Sequence, residues 1–114
     1  MASEYEQRFY PQVLADDLTR LAKTDPALVD AALAAVDDLA AGHQTGKELG
    51  ERRVSGDLTG LCRLRFDLPG VWPLRFRVVF RLIDDVIEVV ALGERQDHAI
   101  YRAAVGRVDP DAPS

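Results

Sequence analysis

The chain has 114 residues, room for one domain and one hydrophobic core, and 47% hydrophobic with 29% charged residues argues against disorder. No apolar run is long enough to cross a bilayer, the Met1–Glu6 start is too polar for a signal peptide, and the single cysteine, Cys62, excludes an internal disulfide. No Cys/His cluster suggests a metal, so the expectation is a cytoplasmic protein without cofactor or metal, and the net charge of −5 argues against nucleic acid unless the charge is unevenly spread.

Tyr5–Phe9 reads as a short strand closed by Pro11. From Gln12, Leu14, Leu18 and Leu21 recur at helical spacing and predict a first helix to about Lys23. Asp25-Pro26 is a start signal, with Asp as N-cap and Pro in the first turn. A second helix then runs to about Ala41, burying Leu28, Val29, Ala32, Leu33, Val36 and Leu39, and Gly42 stops it. So short a connection predicts an antiparallel helical hairpin.

Residues 43–60 hold four glycines and read as a surface connection. Cys62–Leu68 then alternates, with Cys62, Leu64, Phe66 and Leu68 on one face and Arg63, Arg65 and Asp67 on the other. After a turn at 69–73, Leu74–Leu82 alternates again. Leu74, Phe76, Val78, Phe80 and Leu82 share one face, Arg75, Arg77, Val79 and Arg81 the other. Asp84-Asp85 makes a tight turn, Val86–Leu92 reads as a more fully buried strand, and Gly93 breaks it. A last helix is expected over about Asp97–Val108, and 109–114 is a frayed tail to a single domain of residues 1–108. The expected class is α+β, in the order β-α-α-β-β-β-(α). The helical hairpin covers the apolar face of a mostly antiparallel sheet, and the other face is left to solvent or a ligand.

The charge is indeed uneven. Residues 61–81 carry five arginines (63, 65, 75, 77 and 81) against one acid, Asp67, while 1–40 and 82–114 are both acidic. A hairpin symmetric about Val71 places Asp67 opposite Arg75 and Arg65 opposite Arg77. The first pair is favourable; the second costs up to about 1 kcal/mol relative to a neutral pair. A solvated strand face is the plain reading. An anion seated among the arginines explains better why like charges meet, and the guanidinium fork suits phosphate oxygens. Past the last strand come Arg95, His98 and Tyr101.

Three stretches, Gly56–Phe66 (GDLTGLCRLRF), Arg75–Arg95 (RFRVVFRLIDDVIEVVALGER) and Asp97–Arg107 (DHAIYRAAVGR), resemble the RelE/ParE superfamily of bacterial toxins, most of all its RelE-like mRNA interferase branch. In those toxins a strand of the form aromatic-Arg-hydrophobic-hydrophobic-aromatic supplies a phosphate-contacting arginine, and Phe76-Arg77-Val78-Val79-Phe80 has that form. A Gly-x-Arg followed by Tyr six residues later lands on Arg95 and Tyr101, and two basic residues one apart fall on Arg63 and Arg65. The resemblance implies a metal-independent endoribonuclease that cleaves mRNA in the ribosomal A site and is silenced by a cognate antitoxin protein. It implies that Arg77 and Arg95 contact the scissile phosphate and that Arg63 and Arg65 bind RNA and support catalysis; Arg75 and Arg81, on the same strand face, are expected to bind RNA beside them. Tyr101 then stacks on a base or takes part in proton transfer.

The chain departs from that pattern in three ways. Its basic pair is arginine rather than lysine, and arginine cannot serve as a general base near neutral pH, which leaves Tyr101, His98 or no protein group. The turn at 69–73 is longer and carries Trp72, which stacks on RNA or, the expected case, packs under the turn. The net charge is acidic. Two other functions share the fold: a ParE-like inhibitor of DNA gyrase, and a catalytically inactive binding module.

Overall fold

The computed structural model describes residues 5–52, 56–94 and 99–108, which form an α+β fold. Strand β1 (Glu6–Phe9) leads into a wide π-helical stretch (Val13–Asp17) that continues as α1 (Leu18–Thr24), followed by α2 (Pro26–Ala40). Then come β2 (Lys47–Arg52), β3 (Gly56–Phe66), β4 (Phe76–Ile83), β5 (Val86–Glu94) and α3 (Ala99–Val108). The strands make a five-stranded mixed sheet in the order β1-β5-β4-β3-β2, with β1 parallel to β5 and the other pairs antiparallel. No described helix is long and apolar enough to cross a membrane.

The element order is therefore β-α-α-β-β-β-β-α, one strand more than the sequence pattern predicts. The expected surface connection at 43–60 contains β2 and the start of β3. Its glycines do not break the pairing but bend it: the β2–β3 register shifts between Glu48 and Gly50, and Gly60 on the facing strand adopts φ +86°. Gly93 likewise does not end β5, which runs on to Glu94 with Gly93 paired to Arg77.

Local signals place the helical hairpin as expected. Asp25 accepts a hydrogen bond from the Ala27 amide at 3.0 Å, Pro26 opens α2, and Gly42 leaves it at φ 79°. Leu28, Ala32, Val36 and Leu39 of α2 bury against Phe66, Phe76, Val78, Phe80 and Val89 of the sheet. Each such large side chain contributes roughly 1.5–3 kcal/mol by leaving water. Leu14, Leu33 and Leu82, expected on buried faces, are exposed instead. In the first helix the inward row is Val13, Asp17 and Leu21, spaced four apart, which turns Leu14 outward.

Asp17 is buried because it finishes the sheet edge. Pairing of β1 with β5 stops at Val89, so the rest of β5 would present a bare backbone on that side. The Asp17 carboxylate, 1% exposed, accepts from the Leu92 amide at 2.8 Å and from both Nη atoms of Arg107 at 2.7 and 2.9 Å. Arg107 also donates to the Val90 carbonyl at 2.9 Å. This pair ties the end of α3 to the sheet. As a result the second sheet face is not left open: Ile100, Tyr101 and Ala104 of α3 cover Leu61, Val79, Val90 and Ala91 in a second small core.

Candidate nucleic-acid interface

The β3–β4 register sets the site. Cys62, Leu64 and Phe66 pair with Phe80, Val78 and Phe76 on the hairpin face, while Arg63 pairs with Val79 and Arg65 with Arg77 on the α3 face. The like-charged pair expected from the sequence is present. On its other side Arg77 neighbours Gly93, which carries no side chain to compete for space there.

Arg77 is only 8% exposed. Its Nη1 donates to the carbonyls of Leu74 and Phe76 at 3.0 and 2.9 Å; among the described residues its Nε has no hydrogen-bond partner and the guanidinium pairs with no carboxylate. Burial holds this guanidinium below its ordinary range; the Tyr101 hydroxyl works in the opposite direction, and the positive charges of Arg63 and Arg65 lower it further. Arg63, Arg65 and Tyr101 thus all act on one buried cation. The Tyr101 ring is 1% exposed beneath α3, so it offers no face for a base to stack on, contrary to one of its two expected roles.

The other strand arginines are engaged elsewhere. Arg75 grips Asp67 with Nε and Nη2 at 2.7 and 2.8 Å, the pair the hairpin symmetry predicts. That clamp, with the Leu68 and Arg75 amides also donating to Asp67, holds the Asp67 carboxyl down to about 2. Arg81 binds Glu88 of β5 at 2.6 Å and the Tyr10 hydroxyl at 3.0 Å. Arg75 and Arg81, expected on the RNA-binding face, therefore already hold carboxylates. Arg95 and His98 lie outside the described residues.

Two features escape the sequence pattern. Lys47 of β2 stands opposite Arg63 of β3, adding a cation beside the cluster, and on the hairpin side an open groove of about 890 Å³ lies between α2, with Asp30 and Asp38, and the edge of β3. A lysine in an assumed loop gave no hint of this. Trp72, expected to pack under its turn, is 78% exposed. Among the described residues no group of His, Cys, Asp and Glu is arranged to hold a metal. Burial and the Glu48 charge push the Cys62 thiol up, which keeps it protonated and a poor nucleophile at neutral pH.

Chemically, the cluster presents fixed positive charge and a phenol, suited to gripping an anion and to stabilising charge that develops on it. Comparison with protein-family models, with curated proteins and with solved structures gives no match to this chain.

Proposed function

We propose that the chain is a RelE-like ribonuclease toxin whose Arg63, Arg65 and Arg77 hold one phosphodiester of a single-stranded RNA, with the buried Tyr101 backing Arg77 and with Arg95 and the ribosome completing the site. The observation that carries this reading is Arg77: a buried guanidinium with no carboxylate partner among the described residues, facing another arginine, is unfavourable for the fold alone and intelligible if a phosphate sits there. In the reaction the ribose 2′-oxygen attacks phosphorus and the bond to the 5′-oxygen breaks. A 2′,3′-cyclic phosphate and a 5′-hydroxyl end remain. One proton leaves the 2′-hydroxyl and one joins the departing oxygen. The arginines stay protonated throughout, so they stabilise the phosphorane charge and do not carry protons. Proton transfer falls to Tyr101 or His98, or to solvent. A cognate antitoxin protein would silence the toxin by occupying or distorting the arginine face.

Cleavage mapping on mRNA with ribosomes tests this directly. The parent protein should cut in the A site, and R77A should cut roughly 100- to 1,000-fold more slowly, the loss typical of removing one preorganised transition-state contact. Cuts undiminished in R77A contradict the assignment. The buried Tyr101 ring favours one other reading, a module that binds RNA without cutting it. Arginine-dependent binding with no cleavage by the parent protein is the result expected of that module.

A further inference from the structure

A lone exposed apolar side chain is ordinary on a protein surface. Trp72 differs because of what holds it. It stands in the loop joining β3 to β4, and a single carboxylate fixes both ends of that loop. Asp67 accepts from the Leu68 amide at 2.7 Å at the start and from the Arg75 amide at 3.1 Å at the close, while Arg75 clamps it from outside. Within the loop the Val71 amide donates to the Leu68 carbonyl at 3.2 Å, Gly70 turns at φ 82°, and Pro69 and Pro73 restrict the backbone on either side of the indole. The loop is thus preorganised, yet its indole is held out from the core at 78% exposure, unlike Leu68, which packs inward. A rigid aromatic held out in this way loses little entropy when it binds a flat partner.

Its position points to the partner. Asp67 lies two residues, roughly 7 Å, beyond Arg65 along the strand direction. Trp72 stands in the loop at the hairpin end of the two strands that carry Arg65 and Arg77, with the half-exposed Arg75 between. A strand anchored by a phosphate at Arg65 and Arg77 and running toward that end would have Trp72 ahead of it. We propose that Trp72 is a base-stacking platform for single-stranded RNA, fixing the register of the strand on the arginine cluster. The buried Tyr101 cannot fill that role. This inference rests on the ribonuclease reading above and deepens it by naming where a base outside the cleaved linkage is held.

Trp72 is the sole tryptophan of the chain, so its emission reports this site alone. The test is a titration of the whole protein with a single-stranded 2′-O-methylated RNA oligonucleotide, which cannot be cleaved. Binding should quench Trp72 emission. W72A should weaken affinity about 10-fold, and W72F by much less, because the phenyl ring keeps a stacking face. The salt dependence of binding should be unchanged in W72A but shallower by about one ion in R65A, since only the arginine touches phosphate. If the oligonucleotide binds in an Arg65-dependent way while Trp72 emission and W72A affinity match the parent, the stacking platform is wrong and the arginine site survives. If the oligonucleotide does not bind at all, the stacking platform falls, while the ribonuclease reading stands or falls on the cleavage mapping with ribosomes.

Discussion

Arg75 and Arg77 lie two residues apart in the chain and in opposite circumstances. Arg75 is half exposed and holds a carboxylate with two hydrogen bonds; Arg77 is buried and holds two backbone carbonyls, with a third donor unmet. Arg81 and Arg107 follow the Arg75 pattern, each with its own acid. A run of arginines that looks uniform in the sequence is therefore two populations. The paired members close the hairpin, join β4 to β5 and fasten α3, whereas Arg77 is placed where its charge weakens the fold and Arg63, Arg65 and Tyr101 gather round it.

If the paired arginines are structural, removing one acid should be severe. D17A leaves the buried end of Arg107 uncompensated and the Leu92 amide unsatisfied, and should destabilise the protein by about 3–5 kcal/mol, a large share of a small domain's stability. Denaturant titration measures this; a loss below about 1 kcal/mol would place Asp17 among the dispensable charges. A smaller effect belongs to the Asp67 clamp, whose arginine is half exposed. The Asp67 carboxyl is lowered from 3.8 to about 2 in the folded protein, so its stabilisation is fully present above pH 4 and is lost as pH falls from about 4 toward 2. In D67N that segment of the acid-stability profile should flatten, with melting temperature near pH 7 reduced by only a few degrees. A D67N profile as steep as the parent's would assign the acid sensitivity to other groups.

Most of the frame was legible in the chain. Asp25-Pro26 and Gly42 bound α2 through local capping chemistry, strict alternation over 62–66 and 76–80 set the core face, and symmetry about Val71 matched Arg65 with Arg77. What was hidden depended on distant partners. Asp17 looks like a surface acid until Leu92 and Arg107, far along the chain, meet it at the sheet edge. Strand β2 is short, polar and glycine-bearing, so neither periodicity nor composition marks it. The covering of the arginine face by α3 escaped because Ile100, Tyr101 and Ala104 make too narrow a stripe to say which surface they bury. The two aromatics exchange expected environments for the same reason: α3 takes Tyr101 inside, and the clamped turn leaves Trp72 outside.

The sharpest test sets the stability and the RNA binding of one variant side by side. R77M keeps most of the buried volume of the side chain and removes a charge that no carboxylate among the described residues meets. We expect its melting temperature to equal or exceed the parent's by up to about 5 °C while affinity for single-stranded RNA falls at least about 10-fold. A variant that melts well below the parent yet binds RNA as tightly would show that Arg77 serves the fold and that the phosphate site lies elsewhere.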